Sequence, residues 1–537
     1  MIRSGKSSSS PWLTLPPDAF HAWATLNGIS LSEVAVAIPA SISNSGSASQ
    51  DGSEHADPAS SIKGYGLVAS QDIKSHDTPL LSVPRDMVLS ERRVRELASG
   101  DVRLAELLKA CGSYATSSRI VIMIFLLYQI TIVNPNIKTK IGLQTPFIEY
   151  IKFMPLPQLT TLLSEDELLL FEGTTIVPAT RVKLNKLLAE YTTLRQATKS
   201  ISWLAPTWWG FESPPVPIEL SVAMSGLEID VEEEFANSDP LITLEDWILL
   251  DAMYRSRALE WPGEGEAMVP AIDMANHTVP ANAEFQVMPG GDGALLAKDD
   301  TPIKSGDEIL ISYGDHKSTL EILFSYGFLP DYEPTAKSIL LSLPPPGEDP
   351  LGPPKAFIAQ KENFAPGIRI HEEQGEIKWD SEVLWLMILN EEDGLDFKVA
   401  YGPDRERELD MTWKDEVVRL GVMKDLLMQD SMAELFELRA TVLVLGQIER
   451  QLERLTGGSG VDSNDGVEVS KDLCVVAEKL REMETRLLVE ARDQLDTQKS
   501  KLVQSETVQS YFRSIQHPIE DTIESNDNED GEEEDFT

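Results

Sequence analysis

"ISYGDHKSTLEILFSYGFLPD" (311–331) sets two Tyr-Gly pairs, Tyr313-Gly314 and Tyr326-Gly327, on either side of one short apolar run. Ser318 or Thr319 can cap a helix start and Gly327 can close it, so the stretch predicts a helix over about 317–325. Tyrosines beside structural glycines are ordinarily core residues. Upstream, "VPAIDMANH" (269–277) is a strand-like run that ends in polar residues, Asp273, Asn276 and His277. Such an ending either closes a turn or reads a small polar ligand. Farther upstream, "KGYGLVA" (63–69) formally matches GxGxxA, with Asp86 twenty residues on. A dinucleotide site needs a helix that opens inside those glycines. Here "LVASQDI" predicts a strand and no βαβ unit follows, so a glycine hairpin is expected instead, either a tight turn or a close approach of backbone to a ligand.

Around these segments the chain is long and acidic. At 537 residues it exceeds what one core can organise and predicts two or three domains. The formal charge is −42, and residues 520–537 alone hold ten acids and no Lys or Arg, leaving about −32 elsewhere. Such a surface disfavours nucleic acid and anionic membranes and suits basic partners. Two cysteines, Cys111 and Cys474, build neither a disulfide framework nor a Cys-based zinc cluster, so no metal is expected. The most apolar run, 120–133, is too short to span a bilayer and reads as a buried core helix. No secretory signal is recognisable, and an intracellular location, cytoplasmic or nuclear, is expected.

Read from end to end, 1–19 is expected to be disordered and 18–29 to include an amphipathic helix closed by Asn27-Gly28. Flexible inserts are expected at 40–61 and 201–242. A β-rich segment at 64–90 gives way to helical periods over about 91–260, and short strands return from 268 to 313. The Pro/Gly-rich connector "LPPPGEDPLGPP" (343–354) opens a region to about 512 that reads as all-α, and 513–537 is an acidic, disordered tail.

A glycine hairpin, then Asn-His after a helical excursion, then Tyr-Gly, helix, Tyr-Gly-Phe: that order resembles the SET-domain methyltransferases of the Rubisco large-subunit lysine methyltransferase branch. The residues that carry the resemblance are "KGYGLVA" (63–69), "RSRAL" (255–259), "VPAIDMANH" (269–277) and "ISYGDHKSTLEILFSYGF" (311–328). It implies an α+β fold: a β-rich SET domain over 20–335 with a helical insertion, then an all-α substrate-binding domain over 336–512. That second domain would recruit substrate rather than cofactor.

The family transfers a methyl group from S-adenosylmethionine to a protein side chain. The resemblance implies that Lys63, Gly64 and Tyr65 offer backbone to this cofactor and that Arg257 holds its carboxylate. It gives Asn276 and His277 to the cofactor's amino acid and adenine parts. Asp273, Phe285 and Tyr326 would face the substrate, and Tyr313 would be catalytic while also packing on the cofactor. Departures are Ser318-Thr319, where relatives often show Ser-Asn, and Gly314, where the plant enzyme has an acid. The expected activity is protein-lysine N-methylation of a nonhistone substrate by a monomer. Histidine N-methylation and a noncatalytic binding module of the same fold stand as alternatives.

Overall fold

The computed structural model describes all residues except 4–10, 39–63, 74–77, 136, 138–141, 211–240, 299–301, 315–316, 332, 344–348, 402–406, 458–469 and 517–537. Lys63, most of the two expected inserts and nearly all of the acidic tail therefore lie outside the described residues. The chain divides into two compact units, residues 1–339 with 453–487, and 340–452 with 488–537.

The first unit carries three small sheets. One has the order β1 (Ser30–Leu31), β4 (Leu81–Val83), β10 (Gly293–Ala297), β9 (Ala283–Val287). The second runs β2 (Val34–Ala37), β3 (Gly66–Ala69), β11 (Glu308–Ile311), β8 (Asn276–His277). The third is β5 (Leu89–Ser90), β7 (Gly265–Met268), β6 (Leu259–Trp261). Every registered pair in them is antiparallel except β8 with β11, where Asn276 faces Leu310 and His277 faces Ile311. That parallel step lays the end of "VPAIDMANH" against the strand that leads into Tyr313. The "LVA" of the glycine segment is β3, a strand without a following helix, so the dinucleotide reading fails on topology.

Helices fill the excursion. Ser118–Val133 is apolar on all sides and buried from Ile120 to Thr131, as an all-round hydrophobic helix must be. Its start is fixed by Ser117, whose side chain accepts from the Ile120 amide. Cys111 is buried beside it, and burial pushes its thiol up to about 12, which makes it inert. Behind the core helix, Asp251 has a fully buried side chain ringed by cations: Arg119 at 2.6 Å, Lys183 at 2.9 Å and Arg255 at 3.5 Å. Burial opposes ionisation, yet those three charges hold the Asp251 carboxyl below the usual range.

Three expectations need correction. The N-terminal 1–19 is not wholly disordered: Ile2 and Leu13 are fully buried in the main core, and a short helical turn spans Pro17–Ala19. Their apolar side chains pack on the core, which disorder would leave in water. The C-terminal region is not all-α. That region contains the sheets β12 (Ser338–Ser342), β13 (Gly367–Glu373), β14 (Glu376–Asp380) and β15 (Leu395–Tyr401), β16 (Arg407–Trp413), β17 (Glu416–Val417). Ile368 and Ile370 of β13 are buried and alternate with exposed Arg369 and half-buried Gly367 and His371, the period-2 pattern of a half-buried strand. Long helices Ala433–Gly457 and Lys471–Val503 follow, and Glu506–Gln516 continues the helix past 513, where the tail was expected to begin.

Candidate active site

Ser318 caps the helix Thr319–Tyr326 in a reciprocal capping box with Glu321, and Gly327 ends it in the left-handed conformation at φ 84°. Gly327 is needed twice over, because a Cβ there would come within 2.4 Å of the Gln158 carbonyl oxygen. This tight closure brings Tyr326, Gly327, Phe328 and Leu329 to a cavity of about 310 Å³. Gly64, Tyr65, Arg257, Asp273, Asn276, His277 and Tyr313 line the same cavity.

Tyr313 leaves the end of β11, and its hydroxyl donates to the Ala275 carbonyl at 2.8 Å. Its ring stacks on His277 at 5.1 Å between centroids and packs against Tyr326 at 4.3 Å. Burial pushes the Tyr313 phenol above its ordinary range, so it stays neutral and remains a hydrogen-bond donor. The backbone amide of Tyr313 donates to His277 Nδ1 at 3.1 Å, which in a neutral ring assigns the proton to Nε2. Asn276 gives its amide to Glu308 Oε1 at 2.6 Å, fixing the orientation of its carbonyl oxygen.

Asp273 lies in the short 3-10 turn Ile272–Met274, entered through Ala271 at a positive φ of 73°. Its side chain is fully buried and meets Arg257 Nη1 at 3.2 Å and the Tyr150 hydroxyl at 2.5 Å. Both bonds go to Oδ2; Oδ1 has no hydrogen-bond partner among the described residues. Burial holds the carboxyl above the usual range against the Arg257 charge. Among the described residues Arg257 donates through Nη1 alone, to Asp273 and to Met274 Sδ, which leaves Nε and Nη2 available to a ligand. The cavity therefore offers a buried acceptor, spare guanidinium donors and stacked rings, which suits a zwitterionic, part-aromatic ligand.

Of the residues expected at the site, the structure brings eight together. Phe285 is not among them. In β9 it pairs with Leu295, and its half-buried ring stacks on Trp261 at 5.5 Å against the core, away from the residues that line the cavity. The remaining wall comes from segments that sequence reasoning passed over: Pro155 to Gln158, Asp331, and Asp472, Val475, Val476 and Lys479 of the last long helix. Lys479 closes part of the rim through an ion pair with Asp331 at 2.8 Å. That helix belongs to the first unit as far as Leu487, so the wall lies inside the range assigned to a separate substrate domain.

No family model matches the chain. Over 219 residues, 40% of this chain and 50% of the relative, it is 28% identical to SET domain-containing protein 8 of Schizosaccharomyces pombe. It is also 28% identical over 127 residues to the chloroplastic [fructose-bisphosphate aldolase]-lysine N-methyltransferase of Arabidopsis thaliana, covering 22% of this chain and 26% of the relative. Against the chloroplastic Rubisco large-subunit N-methyltransferase of Pisum sativum, 136 residues match at 28% identity, 24% and 27% of the two chains. The chain thus spans half or less of the length of these curated relatives. A solved SET domain of LSMT bound to lysine and AdoHcy superposes over 96% of this chain and 98% of that one, at TM-score 0.60 and 17% identity. A structure of Rubisco LSMT bound to AdoMet aligns over 95% and 98%, with the same score and identity. The fold is that of a SET-domain protein. Within that fold class, the superposed structures are of Rubisco LSMT, and one of the three relatives carries the Rubisco large-subunit methyltransferase name.

Among the described residues no helix is long and apolar enough to cross a membrane, and no group of three or more His, Cys, Asp or Glu could hold a metal.

Proposed function

We propose that this chain is an S-adenosylmethionine-dependent methyltransferase acting on a lysine side chain of a nonhistone protein. The observation that carries the reading is the Tyr313 hydroxyl, held at 2.8 Å from the Ala275 carbonyl in the cavity that Arg257, Asn276 and His277 share. The names of two relatives, a lysine methyltransferase of an aldolase and a methyltransferase of the Rubisco large subunit, support a metabolic protein as target.

S-adenosylmethionine, when bound, would supply an electrophilic methyl on a sulfonium. Arg257, whose Nε and Nη2 have no partner among the described residues, would hold a carboxylate; Asn276 and His277 would hold the amino acid and adenine parts. Gly64 and Tyr65 would offer backbone. Lys63 is given the same role as part of the proposal. Tyr313 and Tyr326 form an aromatic wall that excludes water and favours the neutral amine of an entering lysine over its ammonium. A free lysine titrates near about 10.4, so this desolvation decides how much acceptor is reactive at neutral pH. Positioning by the Tyr313 hydroxyl then does most of the remaining work, and the site needs no dedicated base.

Incubating the protein with isotopically labelled cofactor and a protein extract, followed by mass spectrometry of labelled peptides, tests the proposal. Label on lysine is the expected result. Label on histidine would transfer the reading to a histidine methyltransferase, and cofactor binding by calorimetry without any label would leave a binding module.

A further inference from the structure

Lys317 stands between Tyr313 and the helix that carries Tyr326, and the site described above gives it no role. Its ammonium donates to the Tyr326 hydroxyl at 3.1 Å and lies 5.2 Å from the centre of that ring. The other side of the pair is Tyr313, 4.3 Å from Tyr326 between centroids, and both tyrosines line the cavity. The lysine stem is also held in place. It lies over Gly314, where φ is +133° and an added Cβ would come within 3.1 Å of Lys317 Cε. A side chain at 314 would contest the place of that stem.

We infer that Lys317 is a positioning residue that tunes the acceptor amine: its charge sits one tyrosine hydroxyl away from the cavity and disfavours a second cation there. The inference rests on the lysine-methyltransferase reading. Like charges in a partly desolvated site raise the cost of protonation, so an entering lysine gives up its proton to water more readily. Most other charged and titratable groups around the cavity have partners of their own. Arg257 is paired with Asp273, and Lys479 with Asp331. Glu321 on the helix of Tyr326 caps the Ser318 amide at 2.7 Å. Tyr313 stays neutral, His277 accepts the Tyr313 amide, and Asp472 lies on the wall contributed by the last long helix. Among the described residues, Lys317 is the cation that touches the Tyr326 hydroxyl.

The test is single-turnover methyl transfer from saturating S-adenosylmethionine, over about pH 6 to 10, in the full chain. The acceptor is the best peptide from an array in which each member carries one central lysine. Lys317→Met should move the rising limb of the pH–rate profile up by about one unit, a tenfold loss near neutrality that disappears at high pH. Lys317→Arg keeps the cation and should keep the limb. A Met variant slowed by one constant factor at every pH, or not slowed at all, overturns the inference. Lys317→Gln, a neutral donor to the same hydroxyl, answers the question if the Met variant does not fold. Wild-type protein that methylates no array peptide and no extract protein would overturn the underlying methyltransferase reading instead.

Discussion

Asp251 and Asp273 are both fully buried aspartates of the first unit, and their carboxyls are displaced in opposite directions. Asp251 faces three cations, and its Oδ2, though not hydrogen-bonded, looks at Arg255 Nε at 3.5 Å. Arg255 in turn donates to the Phe324 carbonyl at 2.8 Å and lies 4.4 Å over the Phe324 ring. The neutralised acid therefore anchors the helix that presents Tyr326. Asp273 has one arginine, one tyrosine and an oxygen left over. An acid with surplus counter-charge holds the fold together, whereas one with a deficit keeps bonding capacity for something that is not protein.

The largest expected effect tests the first half of that contrast. Asp251→Asn removes the anion of Lys183 and Arg255 and one of the two that hold Arg119, which also pairs with Glu190, and should cost about 3–5 kcal/mol of unfolding free energy, read from urea denaturation. A loss below about 1 kcal/mol would make the ring of cations ornamental. Next in size is Tyr313→Phe, which removes an oxygen and keeps the ring. Single-turnover methyl transfer should fall by about a hundred- to a thousandfold, roughly 2.7–4 kcal/mol of barrier, with cofactor affinity unchanged. Near-native turnover would return Tyr313 to the core.

A third acid sharpens the contrast from outside the site. Glu484 is buried on the last long helix and accepts from the Thr175 amide and hydroxyl, and burial raises its carboxyl from 4.5 to about 7. Because the folded state holds this proton more tightly than the unfolded chain, stability is fully present below about pH 4.5 and is lost as pH rises through 7. The loss amounts to about 3 kcal/mol. Unfolding measured at several pH values should show the slope, and Glu484→Gln should flatten it. The smallest effect belongs to Asp273→Asn. It should leave stability unchanged or higher at neutral pH, since the raised carboxyl is a cost there, while cofactor affinity falls by about tenfold, or about 1.4 kcal/mol. If Asp273→Asn destabilises as strongly as Asp251→Asn, the two acids do the same job and the distinction collapses.

Much of the site could be read from the sequence because its residues sit in short motifs at element ends. Tyr313 closes a strand, Asn276 and His277 form one, and Tyr326 precedes the glycine that stops its helix. Phe285 falls outside the cavity lining, which the sequence could not show, because an aromatic in a strand faces core or cavity according to register and the register with β10 was not legible. The Asp273–Arg257 pairing was hidden by the turn between them, although both residues had been singled out separately. The strands of the second unit carried a period-2 signal at Ile368 and Ile370, yet the long helical periods after them dominated the reading of that region. Asp472 to Lys479 carried no signal at all, since a helix face that walls a cavity looks like any other amphipathic face.

That late wall has a consequence in time. Lys479 lies 148 residues after its partner Asp331. At a synthesis rate of about 5–20 residues per second, the tyrosines would emerge roughly 7 to 30 seconds before the helix that completes their enclosure. During that interval the nascent chain would lack this part of the cavity wall. On the proposed function, competence would wait for this helix, so the site would stay unfinished on the ribosome long after its tyrosines had been made.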